Sequence, residues 1–404
     1  MLHSTRGGRK PPFARQGKGH SFGLGGEQHM VSRVLIIGGG IGGLSTAIGF
    51  CRKGFDVSVF ESAPELNPVG KGIWMPTNAM LALDRLGLAA DVLAAGWPLE
   101  SIQLRTASGL LLSNLDLDRV KARFGFTTVP ILRASLVQTL AAALPAGVLQ
   151  YGKRFSRFAQ DAGRVRVLFD DGTEEVCDIL VGADGIHSMV RRQLFGPVQL
   201  RYSGQTCYRG VANYVLPPEF ARLGCETWGG DCRFGFSPVA PGKVYWFAPI
   251  ACPAGAEDFR IEESYRNFPH PIPQLIAATN PEEIIRTDLT DFSPIPTWHS
   301  GPVVLLGDAA HAMTPNLGQG GAQSIEDAVV LAQCVAAMSS ERAFLRYEEV
   351  RRSKAVRMVN MAWTLGKIAH WRNPAAQTVR NLAMRCTPDW ISARQTESLY
   401  ALNY

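Results

Sequence analysis

The run Arg33-Val-Leu-Ile-Ile37 is short and apolar, and it ends on Gly38-x-Gly40-x-x-Gly43. Eighteen residues after the third glycine, Val57-Ser-Val-Phe-Glu61 closes a second such run on an acid. This pattern predicts a β-α-β unit built around a dinucleotide. Gly38 permits the tight turn out of the strand, Gly40 lets the backbone approach a pyrophosphate, and Gly43 lets the helix lie close on the strand. The helix start then presents unpaired N–H groups and the positive end of its dipole to the phosphates. Glu61 can accept hydrogen bonds from a ribose diol. At this point NAD and FAD fit equally well.

The stretch Val34–Cys51 carries no charge, so hydropathy alone would also allow a membrane span. Its six glycines within Gly38–Gly49, and the short helical part after Gly43, argue against one. No other long apolar run follows, and the reading is a cytoplasmic enzyme without a membrane span. Eight scattered cysteines with no CxxC pair read as reduced thiols, neither a disulfide frame nor a metal site. The net charge of +6 is unevenly spread: +4 in residues 1–30, −4 in 31–340, +7 in 341–386 and −1 in the tail. Residues 1–30 are Gly-, Arg- and Pro-rich without apolar periodicity, which predicts a disordered basic leader. The basic 341–386 stretch reads as a solvated helical face or as an attractor of anionic partners. Nothing in it interleaves aromatic and basic residues as nucleic-acid binding requires.

A second arrangement repeats the logic of the first. Pro302-Val-Val-Leu-Leu-Gly-Asp308 predicts a buried parallel strand, followed by a loop with Pro315, Gly318, Gly320 and Gly321 and a helix from about Ala322 to Met338. Glycines at the helix start would let amides approach the pyrimidine edge of an isoalloxazine, and Asp308 could accept hydrogen bonds from a polyol chain. Between the two lies Ile179-Leu-Val-Gly-Ala-Asp184-Gly185, another continuous apolar run. From Tyr202 the texture changes to aromatic, strand-like runs at Cys207–Tyr214, Arg233–Phe236 and Lys243–Phe247, which predict an inserted antiparallel sheet. Trp228, Phe236, Trp246 and Phe247 are candidate walls for an apolar ligand, or ordinary sheet core.

Taken together, GGGIGG at 38–43, LVGADGIHSMVRR at 180–192, LLGDAAHAMTPNLGQGGAQSIEDA at 305–328 and PILRASL at 130–136 resemble the group A flavoprotein monooxygenases. This is the family of p-hydroxybenzoate, salicylate and 3-hydroxybenzoate hydroxylases, and the resemblance spans roughly 31–400. It implies a Rossmann-like α/β FAD-binding domain with an inserted β-sheet substrate domain and C-terminal helices. The expected divisions are a leader at 1–30, FAD-binding parts at 31–200 and 296–340, a substrate sheet at 201–295 and helices at 341–404. By the resemblance Glu61 binds the adenine-side ribose, Arg133 the ribityl or pyrophosphate region and Asp308 the flavin polyol. Asp184 and Gly185 sit where contacts bear on both FAD and NAD(P)H. Ile41, Gly42, Ser62, Gly72 and Pro315 complete the expected cofactor positions.

The implied chemistry is hydroxylation of a phenolic or heteroaromatic acid by NADH or NADPH and O2, through a flavin C4a-hydroperoxide. The alternatives are epoxidation or hydroxylation of a larger apolar molecule such as an isoprenoid or antibiotic, and a flavin-binding redox regulator without turnover. Tyr208-Arg209-Gly210 is similar to a segment of salicylate-type hydroxylases and makes Tyr208 and Arg209 the catalytic candidates. Arg209 could hold a substrate carboxylate bidentately. Two departures from the family stand out. Lys71 adds a cation where the flavin ring is expected, and Gly321 stands where Asn is usual. His311 is expected to order its loop, and a monomer or homodimer is expected.

Overall fold

The computed structural model describes residues 33–66, 71–161, 163–256, 260–402 and 404. The leader 1–30 lies outside the described residues. The central sheet has six strands in the order His299–Ser300, Val303–Leu305, Ile179–Gly182, Arg33–Ile37, Asp56–Phe60 and Leu149–Gln150. All its pairings are parallel except the first. Its middle strands are apolar along their whole length because both faces are covered, by helices and by the small sheet that carries Phe158, Val165, Val167 and Phe169, and Val34, Leu35, Ile36, Leu180 and Val181 are fully buried. One face packs on the helix Ile41–Arg52, which lies beside the helix Gly320–Ala337.

A seven-stranded sheet stands against this body. Its order is Ile285–Phe292, Leu200–Asn213, Lys243–Ala251, Arg233–Ala240, Leu223–Trp228, Ser101–Thr106 and Leu111–Asp116. The sheet is therefore not confined to residues 201–295, since its far edge is built by two strands from the first FAD-binding stretch. That edge joins through a parallel pairing of Leu223–Trp228 with Ser101–Thr106. The outer face, with Phe234, Phe236, Trp246 and Ala248, packs on Ile261–Tyr265 and Ile272–Ala277. The inner face turns toward the pair Gly72–Met75 and Val129–Leu132, where a Cβ on Gly72 would stand 2.3 Å from Tyr245. A smaller three-stranded sheet spans Phe155–Asp161, Arg164–Phe169 and Glu174–Cys177.

The basic stretch folds into a helix of 30 residues, Ser340–Ala369, followed by Pro374–Arg385 and Asp389–Tyr400. At Gly366 the long helix comes close to the loop after Asp308; a Cβ there would meet the Asn316 side chain at 2.4 Å. No helix among the described residues is long and apolar enough to cross a membrane.

Candidate active site

Three parallel strands, Arg33–Ile37, Ile179–Gly182 and Val303–Leu305, deliver their carboxyl ends to one place, the usual ligand position in an open α/β sheet. Gly38 leaves the first strand at φ +108, and a Cβ on it would lie 2.5 Å from the Ala183 carbonyl oxygen. Only glycine fits there. A Cβ on Gly43 would come within 1.9 Å of the Gly38 oxygen, so the helix Ile41–Arg52 packs directly on the turn. Around Gly40 the situation is reversed: no heavy atom lies within 4 Å of where its Cβ would stand. The helix starting there has no side-chain cap and no acid in its first turn, so its N–H groups face open space.

Glu61 fixes the side of this cradle. Its carboxylate accepts from the Gly39 amide at 2.8 Å, the Ala63 amide at 2.8 Å and the Ser62 hydroxyl at 3.2 Å. Asp184 has a local task as well. It accepts from the Ser188 hydroxyl at 2.5 Å and from the Met189 and Val190 amides, capping the helix Met189–Phe195. Burial pushes its carboxyl above the usual range while those hydrogen bonds pull it back.

The second loop faces the same cleft. Gly307 adopts φ +57 and starts the short helix Asp308–His311, and Gly318 adopts φ +64 before the helix Gly320–Ala337. That helix also begins uncapped, with no acid in its first turn and open space around Gly318. A Cβ on Gly321 would meet Ile73 at 3.1 Å, so the backbone here lies against the Gly72–Met75 strand. Asp308 is surrounded by protein yet open to the cleft, and among the described residues no group donates a hydrogen bond to it. Desolvation raises its pKa; the nearby His311 and Arg133 act against that. Arg133 in turn has its pKa lowered by burial, partly offset by Asp308 and Tyr245. Two uncapped helix starts, two empty glycine positions and an unsatisfied carboxylate opposite an arginine fit a flavin dinucleotide.

Beneath the second loop lies a buried charge network. Within the Gly320–Ala337 helix, Glu326 and Asp327 are fully buried. Arg351 from the long helix donates to Asp327 at 2.8 Å and to Glu326 at 2.5 Å, and Lys354 donates to Glu326 at 2.9 Å. His311 meets Asp327 at 2.6 Å, and the Gly307 amide donates to the same carboxylate. Asn78 joins from the other side, donating to Gln319 at 2.9 Å and Glu326 at 2.7 Å. Burial opposes ionisation of Asp327, but His311 and Arg351 more than offset it and hold the carboxyl at about 2. The loop is thus bolted to the long helix. Two adjacent acids in an otherwise uncharged helix were the sequence signal that partners must exist.

The sheet register decides what else faces the cleft. Arg209 stands opposite Phe247, and Val211 opposite Tyr245, so Arg209, Tyr245 and Phe247 share the inner face. Tyr208 points to the outer face and packs on the helix-covered core. The two catalytic candidates therefore lie on opposite sides of the sheet. Of the candidate walls, Phe247 faces inward beside Trp74, with ring centroids 6.3 Å apart, while Phe236 and Trp246 belong to the outer core. Trp228 faces inward at the end of its strand, donating to Glu226 at 2.8 Å. Tyr245 hydrogen-bonds Arg209. Desolvation pushes the Tyr245 phenol up to about 12, against the pull of Arg209. Among the described residues no carboxylate pairs with Arg209. Lys71 is engaged elsewhere, 3.4 Å from Glu283.

The model of a family described as an FAD binding domain matches residues 31–362. The chain belongs to the group A FAD-dependent monooxygenases. FAD is its cofactor. Aurachin C monooxygenase/isomerase of Stigmatella aurantiaca is 39% identical over 91% of this enzyme and 97% of that relative. The 2-heptyl-3-hydroxy-4(1H)-quinolone synthase of Pseudomonas aeruginosa is 32% identical over 91% of this enzyme and 97% of its own length. Among solved structures, Klebsiella pneumoniae HpxO complexed with FAD and uric acid superposes with a TM-score of 0.84 at 29% identity. That match covers 91% of this enzyme and 96% of the other chain.

Proposed function

We propose that this monooxygenase uses NAD(P)H and O2 to hydroxylate an apolar heteroaromatic ring of the 4-quinolone type. The observation that carries this reading is the inner sheet face: Arg209, a cation with no carboxylate partner among the described residues (Arg233 on the same face pairs with Glu226), held by a neutral tyrosine within an aromatic wall of Tyr245, Phe247 and Trp74. Such a face suits a flat ring with a single oxygen at its edge. Two relatives matched over nearly their full length, one of them named for a 3-hydroxy-4(1H)-quinolone, support the same class.

When bound in this cleft, FAD would supply the hydride-accepting and O2-activating chemistry. In this reading the Gly38–Gly43 turn and the helix start behind it, with Ile41 and Gly42, hold the pyrophosphate. Glu61, fixed by the Gly39 and Ala63 amides and by Ser62, takes the adenine-side ribose. Arg133 and Asp308 hold the polyol. The uncapped start of Gly320–Ala337, with Pro315, Gly318, Gly320 and Gly321, meets the electron-rich edge of the ring system, and Gly72 lines the opposite side. Asp184 and Gly185 shape the turn against Gly38. Arg209 donates to the substrate's ring oxygen and so fixes the orientation of the ring in the cleft. Tyr245 orients Arg209, and Lys71 ties the flavin-side segment to Glu283. The sheet and the Gly72–Met75 strand exclude water.

The test is NADH and NADPH oxidation by the FAD-loaded enzyme, with product mass, against a panel of 2-alkyl-4(1H)-quinolones and phenolic carboxylic acids. Stimulation by the quinolones with gain of one oxygen is expected. Stimulation by the acids alone would return the case to a carboxylate-binding role for Arg209.

A further inference from the structure

From Val350 to Pro388 the sequence contains no Asp or Glu but eight Lys and Arg. Several of these cations are spent inward. Arg351 and Lys354 serve the network around Glu326, and Arg380 lies 4.9 Å over the Trp228 ring while donating to the Ile368 and Ala369 carbonyls. Lys367, Arg372 and Arg385 remain exposed. The helix Pro374–Arg385 turns Arg380 and Gln377 toward the body: Arg380 is buried, and a Cβ on Gly230 would meet the Gln377 amide at 3.4 Å. Its exposed face consists of Ala375, Thr378, Val379, Leu382 and Ala383. Val379 is 68% exposed and Leu382 58%, with Trp371 40% exposed just before the helix. An ordinary surface helix places its polar stripe outward. This one is partly inverted: Arg380, Gln377 and Asn381 turn inward, while Val379 and Leu382 stand in water beside Thr378 and Arg385.

We propose that this face docks on an anionic phospholipid bilayer. Val379, Leu382 and Trp371 enter the headgroup region, and Lys367, Arg372 and Arg385 meet the lipid phosphates. Charge decides the occupant. Arg372 is partly balanced by Asp231 at 3.5 Å, but a second copy docking through the same patch would still set Lys367 and Arg385 against their own counterparts, whereas an anionic surface complements them. The helix lies along the interface and does not cross it, as a 12-residue segment must. It also reaches toward the active site. Arg380 covers Trp228, Trp228 donates to Glu226, Glu226 pairs with Arg233, and Arg233 bonds Asn316 in the loop after Asp308. The proposal rests on this surface and does not depend on the substrate reading.

The experiment is co-sedimentation of the full-length, FAD-loaded enzyme with vesicles of equal parts phosphatidylglycerol and phosphatidylcholine. Binding is expected, and it should fall about tenfold on pure phosphatidylcholine or in about 1 M salt, where screening is effective within about 3 Å. The double variant V379E/L382E should bind about tenfold less while keeping its FAD and its turnover of a soluble substrate. Because residues 1–30 are also basic, the response of that variant decides the location. Absence of wild-type binding, or equal binding by the variant, overturns the proposal. A concentration-dependent dimer that V379E/L382E abolishes, without vesicle binding, would assign the face to self-association instead.

Discussion

The nucleotide cradle and the inner face of the seven-stranded sheet meet at one cleft, yet they are built on different principles. The cradle depends on the absence of side chains. At Gly38 and Gly43 an added Cβ would strike backbone oxygens, and at Gly40 and Gly318 the added atom would occupy open space. The sheet face depends on side chains present at alternate positions, with Arg209, Tyr245 and Phe247 inward and Tyr208 and Trp246 outward. The first is a backbone shape fixed by where side chains are missing. The second is a surface that can be rewritten one side chain at a time without disturbing the fold.

Substitutions can break this comparison, and the largest effect is expected in the cradle. Gly43→Ala places a methyl 1.9 Å from a backbone oxygen, so the purified protein should lack FAD and lose its cooperative thermal transition. Gly40→Ala, made in open space, should keep the fold and lose FAD affinity alone, as a flavin titration will show. If both behave alike, the distinction between packing and ligand glycines fails.

Removing Arg351 leaves Glu326 and Asp327 buried beside too few cations. Arg351→Met should destabilise the protein by about 3–5 kcal/mol in denaturant unfolding. The pH dependence of that network follows from Asp327. Its pKa is depressed in the folded state from 3.8 to about 2, so its contribution is present above the unfolded value and is lost as pH falls from about 4 to about 2. The wild type should lose roughly 2 kcal/mol of stability across that window from this group, and Asp327→Asn should flatten it. Asp308 carries the opposite sign. Desolvation raises its pKa, so in FAD-free protein its charge is a cost that grows as pH rises through the unfolded value. Asp308→Asn should therefore raise the melting temperature of the FAD-free form at neutral pH while weakening FAD binding.

The smallest effects belong to the sheet tyrosines. Tyr245→Phe removes the hydrogen bond that orients Arg209 and should lower substrate-stimulated turnover by a factor worth about 1 kcal/mol. Tyr208→Phe, on the outer face, should change turnover hardly at all. A larger loss at Tyr208 than at Tyr245 would contradict the facing assigned by the register.

Much of this was legible in the chain because the cofactor side is written in glycines at fixed spacing. Gly38, Gly43, Gly318 and the Gly307-Asp308 pair each report a local backbone demand, Gly40 leaves room for the ligand, and such local requirements survive in sequence. The strands Arg33–Ile37, Ile179–Gly182 and Val303–Leu305 announced themselves as unbroken apolar runs for the same reason. The partnership of Arg209 with Tyr245 was not visible, because it joins positions 36 residues apart through an antiparallel register that no local pattern fixes. Arg351 was hidden among other cations of a basic stretch, although Glu326 and Asp327 had declared the need for a partner. The membership of Ser101–Thr106 and Leu111–Asp116 in the distant sheet is a tertiary fact that no local pattern fixes.

The most direct test of the division between anchoring and choosing is made on Arg209→Met. FAD affinity and substrate-stimulated NAD(P)H oxidation should be measured on the same preparation. FAD affinity should stay within about threefold of wild type, while stimulated oxidation with coupled product falls about a hundredfold. Loss of FAD in step with activity would show that the sheet face anchors the cofactor, and would contradict the account.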